Sequence, residues 1–354
     1  MIPINPLNHH ATHRHLLWVP DAPLSDARID AIVVPTVHAA SALDHARKLA
    51  KELRCRLLAL CSGELTKLRS EGDRLIEIDV SPGDLGLPVF ETSQMLAGTP
   101  FQRTTDLAAK RNLALALARM LGWRRIVYLD DDILIRGADD LRRAAGLLGQ
   151  YRAVGLSVGG FPDNSVVCHA YRAVGGPQES FISGGAIAVE TTREISFFPN
   201  VYNEDWFWLL DDKGLAQLAV TGVAVQQEHD PYGTPERARS EEFGDVLAEG
   251  IYWLLDEGKT VAHADERHWA DFLDRRHRFI KDIVDRVADL YLPHDTKARM
   301  GQALDASLEQ LTRITPELCV SYLHAWRNDR ETWRTFVLDL PAELGVPAAL
   351  KRLL

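Results

Sequence analysis

The chain has 354 residues, 46% of them hydrophobic and 25% charged, enough to bury a large core in one large domain or two. A net charge of −10, with no stripe of Lys and Arg, argues against a nucleic-acid partner. Four cysteines (Cys55, Cys61, Cys168, Cys319) are scattered without C-x-x-C spacing and no apolar run is long enough to span a bilayer, so the expectation is a cytoplasmic protein with reduced thiols, no signal peptide and no transmembrane segment.

Residues 1–27 are polar and punctuated by proline, with His9, His10, His13 and His15 close together. They read as a flexible or edge-packed leader rather than a metal-binding tract. The first clear element spans residues 29–35, whose centre Ala31-Ile32-Val33-Val34 predicts a buried strand. Leu43, Ala46, Leu49, Ala50 and Leu53 then recur at helical spacing. Residues 56–61 and 75–80 predict a second and a third strand. Strand, helix and strand at this spacing imply a parallel sheet with right-handed crossovers.

Across residues 81–103 the pattern fails, broken by Pro82, Gly83, Gly86, Pro88, Gly98 and Pro100. A connection of that length reads as a functional loop. Thr104, Thr105 and Asp106 offer N-caps for a helix running to about Leu121 and closed by Gly122. Lys110 and Arg111 in its first turns, with Arg103 just before, oppose the helix dipole, which a docked anion would explain; two solvated basic residues are the plainer reading.

The run Arg125-Ile126-Val127-Tyr128-Leu129-Asp130-Asp131-Asp132 predicts a buried parallel strand delivering three acids to its carboxyl end, where open α/β sheets bind ligands. Adjacent carboxylates repel, so the cluster suits a hard cation such as Mg²⁺ or Mn²⁺ completed by a diphosphate, or else a solvated acidic turn. A helix over residues 141–148 and a strand over 153–158 follow. Ser183-Gly184-Gly185-Ala186 leads into another strand, and paired glycines admit either a ligand or a β-bulge. Asn203-Glu204-Asp205 stands before an aromatic helix start, as ordinary N-terminal acids or as a pair supplying a general base. A last strand over 219–225 precedes His229, a ligand candidate because of its position after a strand.

From about Pro235 the strands stop. Phe279, Ile280, Ile283, Val284, Val287 and Leu290 form one apolar helical face, and Thr315-Pro316 opens another helix. This all-α tail suits covering the sheet, shaping an acceptor site or forming a homodimer contact.

Together these features resemble the GT-A-fold, nucleotide-sugar-dependent glycosyltransferases, nearest in style to the large family 2-like group. The resemblance rests on Val33-Val34-Pro35-Thr36, Lys110-Arg111-Asn112, Asp130-Asp131-Asp132, Ser183-Gly184-Gly185-Ala186, Asn203-Glu204-Asp205 and His229, in order over residues 29–230. It implies a Rossmann-like, mostly parallel sheet flanked by helices over 28–235, and does not reach the helical region 236–354.

What the resemblance implies can be carried over by position. Pro35 and Thr36 would line the nucleotide pocket, and Arg103, Lys110, Arg111 and Asn112 would face the phosphates or sugar. Asp130 would contact the ribose or lie near the metal with Asp131 beside it, while Asp132 and His229 would ligate Mn²⁺ or Mg²⁺. Gly184 and Gly185 would admit the sugar or acceptor. Asp205 would be the base and Glu204 would hold the acceptor or the base. Family members commonly place a base-reading acid after the second strand. Here Cys61-Ser62-Gly63-Glu64 offers Ser62 or Glu64 instead, which leaves UDP- or GDP-sugar open as the donor. A retaining transferase, a sugar-phosphate nucleotidyltransferase, an Asp-nucleophile phosphatase and a non-catalytic nucleotide-sugar binder are the competing readings. The acceptor is not legible.

Overall fold

The computed structural model describes residues 8–9, 13–62, 74–80, 85–162, 164–177, 181–192, 196–211 and 213–354. Its strands, in chain order, are β1 (Ala31–Thr36), β2 (Arg56–Cys61), β3 (Leu75–Asp79), β4 (Arg125–Leu129), β5 (Ile133–Ile135), β6 (Ala153–Gly160), β7 (Ala186–Glu190) and β8 (Leu218–Gln226). Its α-helices are α1 (Asp44–Leu53), α2 (Glu91–Leu96), α3 (Leu107–Met120), α4 (Ala138–Leu147), α5 (Val166–Ala173), α6 (Glu204–Leu209), α7 (Pro235–Asp256), α8 (Glu266–Val287), α9 (His294–Leu311), α10 (Pro316–Asp339) and α11 (Val346–Leu353).

The strands form one eight-stranded sheet in the order β3-β2-β1-β4-β7-β6-β8-β5. The sheet is mixed rather than purely parallel, with six of its eight strands running in one direction and β7 and β5 reversed. The pairs among β3, β2, β1 and β4, and the pair β6–β8, are parallel; β7 is antiparallel to both of its neighbours and β5 to β8. Because β7 runs against β4, Ala186 at its start pairs with Leu129 at the end of β4. That reversal sets the glycines before β7 beside the acids after β4.

Alternation along the strands divides two apolar layers. Ala31, Val33, Ile126 and Tyr128 point into one core, and Ile32, Val34, Val127 and Leu129 into the other. The second layer is closed by α1 and α4 through Leu49, Leu141 and Ala144. The first runs without a break through α3 into the tail, taking in Ile251, Phe279, Leu304, Trp326 and Trp333. Strands buried on both faces explain the continuous apolar runs in the sequence.

Helix α7 lies inside the tail and buries acids as well as apolar residues, including Glu241, Glu242, Asp245 and Glu249. Each has a partner: Glu241 takes Arg237 Nε at 2.7 Å and the Val166 amide at 2.8 Å, and Arg276 of α8 donates to Glu242 at 3.0 and 3.2 Å and to Asp245 at 2.6 Å. The N-terminal segment is tied to α7 too, His13 Nδ1 lying 2.7 Å from Asp256 and Nε2 3.4 Å from Glu249. Further on, Trp18 bridges to Ala219 of β8. Within the connection over residues 81–103, the Glu91 and Thr92 amides at the start of α2 donate to Asp329 of α10 at 2.6 and 2.9 Å. As the Thr315-Pro316 pair predicts, Thr315 Oγ1 accepts from the Leu318 amide at the start of α10.

Candidate functional site

The carboxyl ends of β1 and β4, the start of β7 and the first turn of α6 meet around one cleft. Helix α3 supplies its cations. Lys110, buried, donates to the Thr36 carbonyl at 2.9 Å and to Ser62 Oγ at 2.7 Å, and pairs with Asp106 at 3.0 Å. It therefore ties the ends of β1 and β2 to the start of α3. Arg111, also buried, donates to Glu204 at 2.7 Å and to both Asp130 oxygens at 3.2 Å. The anions that the sequence asks for near the start of α3 are thus supplied from within the chain, by Asp106, Asp130 and Glu204. Burial alone would lower the Arg111 pKa; Asp130, Glu204 and Asp205 outweigh it and hold the guanidinium charged.

Three adjacent acids take three different surroundings. Asp130 donates its amide to the Gly185 carbonyl at 2.9 Å, and its carboxyl is pushed up to about 6 by desolvation, against the pull of Arg111 and with the Asp132 charge adding to the rise. Asp131 turns back to β1, accepting from Thr36 Oγ1 and lying 2.8 Å from His38 Nδ1. Asp132 accepts the Gln227 amide on its carbonyl at 3.0 Å, fastening the end of β8 to this turn. His229 follows two residues later, packed against Phe161 and near His169, with ring centroids 4.7 and 5.8 Å away. Among the described residues no three His, Cys, Asp or Glu side chains converge to hold a metal ion by themselves.

Asn203 sits in left-handed backbone (φ 59°), a conformation that asparagine tolerates, and directs α6 into the cleft. Asp205, in the first turn, accepts the Gly184 amide at 2.6 Å and its neighbour's amide, from Trp206, at 2.9 Å. Two amide donors favour the charged carboxylate. Gly184 is required by crowding: a Cβ there would stand 2.5 Å from Arg111 Nη1 and 2.8 Å from Asp205 Cβ. At Gly185 it would stand 3.0 Å from Asp130 Oδ2.

A cavity of about 200 Å³ opens beside these groups, its wall including Asp130, Arg111, Gly185, Glu204 and Asp205. Arg103 joins them, its Nη1 on the Val201 carbonyl at 2.8 Å and its guanidinium 5.7 Å from the Tyr202 ring centre. Asn112 does not reach the cleft; its amide is buried and bonded at both ends, 2.8 Å each, to the backbone of Phe198. Pro35 is buried within β1, and Glu64 lies outside the described residues. Sequence reasoning missed Asp245 and Glu249, which reach the cavity wall from α7. Their spacing of four on a long charged helix looks like a solvated face, so no local signal marks them.

No protein-family model matches the chain, and neither does any curated protein. Among solved structures it is similar to a mannosyltransferase from Pyrobaculum calidifontis in complex with GDP-Man and Mn²⁺, at 14% identity and a TM-score of 0.43, over 90% of this chain and 92% of that one. A likeness that distant says nothing of activity, which has to be argued from the chemistry of the cleft.

Proposed function

We propose that the protein is a metal-dependent glycosyltransferase of the GT-A type, moving a sugar from a nucleoside-diphosphate sugar to an acceptor hydroxyl with inversion. One observation carries this reading. Segments far apart in sequence, Lys110-Arg111, Asp130, Gly184-Gly185 and Glu204-Asp205, are joined by direct hydrogen bonds at the carboxyl end of the sheet.

Asp205 is the proposed base. Its amide bonds hold a charged carboxylate at the cavity wall, able to take the acceptor proton as the acceptor oxygen bonds to the sugar and the bond to the diphosphate breaks. Glu204, tied to Arg111, positions the guanidinium between itself and Asp130. Thr36 and Ser62, braced by Lys110, edge the proposed nucleotide side.

The donor set fits a hard cation shared with the donor. Asp130 and Asp132 feel each other's charge, and His229 follows the strand end pinned to Asp132. Mg²⁺ and Mn²⁺ sites of this kind use one or two carboxylates and leave the remaining positions to phosphate oxygens and water. When bound, such a cation neutralises charge on the leaving diphosphate.

The test is a thermal-shift series with UDP, GDP, ADP and CMP, each with and without Mn²⁺. Metal-dependent stabilisation by one nucleoside diphosphate is expected, since a ligand of the folded state raises apparent stability. Asp205→Asn should abolish transfer while keeping that stabilisation; turnover near the wild-type rate would remove Asp205 as the base.

A further inference from the structure

The cavity beside Asp205 has an unusual balance of charge. Its wall carries Asp130, Glu204, Asp205, Asp245 and Glu249 against Arg103 and Arg111. Both guanidiniums are committed, Arg111 to Glu204 and Asp130, and Arg103 to the Val201 carbonyl with Glu204 at 3.8 Å. The cations that pair with the α7 acids stand behind the wall: Arg276 meets Asp245 and His13 meets Glu249, and neither belongs to the cavity lining. An incoming molecule therefore meets the carboxylates with their counter-charges on the far side.

Those carboxylates keep capacity to accept. Asp245 receives Asn203 on Oδ1, Arg276 on Oδ2 and the Ser165 side chain, three donors against about four lone-pair sites, so one site is left for an incoming hydroxyl. Glu249 meets His13 through Oε2, and its Oε1 makes no hydrogen bond among the described residues. Phe181 and Trp206 add apolar ring surface, with centroids 5.2 Å apart at 63°. Carboxylates beside aromatic rings match a ring compound with hydroxyls at its edge and C–H bonds on its faces. The volume of about 200 Å³ exceeds the roughly 150 Å³ of a cavity that admits benzene, room for one small ring.

We infer that the acceptor is an uncharged, hydroxyl-rich molecule presenting about one sugar ring to this cavity, held from α7 by Glu249 and Asp245. Acceptors with a phosphate or carboxylate near the reacting hydroxyl are rejected by the same two residues, because a second negative charge in a poorly solvated cleft is repelled. This rests on the transferase reading above.

The experiment uses the full chain and the donor selected by the nucleotide series. It compares a free hexose, its octyl glycoside, its 6-phosphate and its uronic acid, reading acceptor-stimulated nucleotide release and kcat/KM. The neutral pair should exceed the anionic pair by at least about tenfold, and whichever neutral form leads separates a soluble sugar from a chain terminus. Glu249→Gln should narrow the ratio to under about threefold; a ratio is read within each protein, and the wild-type series stands by itself if the variant folds poorly. Anionic acceptors used as well as neutral ones, or donor turnover that no neutral acceptor stimulates, would overturn this inference alone. Absence of donor binding and turnover with every nucleotide sugar would bring down the transferase reading with it.

Discussion

Gly184→Ala separates the site from the fold. The added carbon would stand 2.5 Å from Arg111 Nη1 and 2.8 Å from Asp205 Cβ, where ordinary contacts begin near 3.4 Å. Arg111 is buried and held by Glu204 and Asp130, so it cannot swing aside, and Asp205 Cβ sits on the first turn of α6. Something has to move by several tenths of an ångström to about 1 Å, and a misplacement near 1 Å at a reacting centre costs roughly 10²-fold in rate. The overpacking itself costs about 1–3 kcal/mol. With an unfolding entropy near 2.1 cal/mol/K per residue, a chain of 354 residues loses only about 1–4 °C in Tm. Turnover of the donor and a calorimetric melt, run on the same samples, should therefore show a large catalytic loss in a folded protein. Gly185→Ala, 3.0 Å from an Asp130 oxygen, should fall between that variant and wild type. Gly301→Ala, which meets nothing within 4 Å inside α9, should be active and slightly more stable. Wild-type turnover by a folded Gly184→Ala protein would refute the assigned packing of Arg111 and Asp205.

Two further predictions concern the tail. Arg276→Met leaves Glu242 and Asp245 buried without their cation, a change that typically costs about 3–5 kcal/mol, so the melt should drop by roughly 4–7 °C; a drop below about 1 °C would mean that the cluster is solvated. His13 would titrate lower if burial acted alone, but its bonds to Asp256 and Glu249 raise it to about 9 from an ordinary 6.5. A folded pKa above the unfolded one stabilises fully below about 6.5 and loses that contribution as pH rises through 9, amounting to roughly 2–3 kcal/mol between pH 7 and pH 10. Urea unfolding of wild type and His13→Gln at both pH values should show the pH effect shrinking in the variant by about that amount; equal slopes would sink the assignment.

Much of the strand and helix order was legible because burial on both faces leaves unbroken apolar runs. Arg125–Leu129 ends where its three acids begin, and Leu218–Gln226 lies within a residue of its expected bounds. Strand direction was not legible. Ala186–Glu190 is buried along its whole length, so its pattern reads the same either way along the sheet, and only pairing with Leu129 orients it. The short β5 and the helix α5 carry too few residues for a period to emerge. At the site, residue types pointed to Asp130, Arg111 and Asp205, whereas Asn112, beside the same basic pair, turns to the Phe198 backbone. The acids of α7 were invisible as site residues because a buried carboxylate and a solvated one look alike until their cations, His13 and Arg276, are brought across from distant parts of the chain.

The unbroken apolar layer between sheet and tail bears on how the chain can be divided. A cut after residue 235, where the strands stop, would strip Phe207 of Tyr322 and Trp326, whose ring centroids lie 6.0 and 5.7 Å from its own. Such a fragment would be a half-core with an adhesive face, prone to self-association, and it would also lack the acids that α7 lends to the cleft. Loss of the leading segment would strip His13 from Glu249 at that same wall. His13 and the acids of α7, more than two hundred residues apart in the chain, thus meet beside one small hollow, whose charge depends on their pairing.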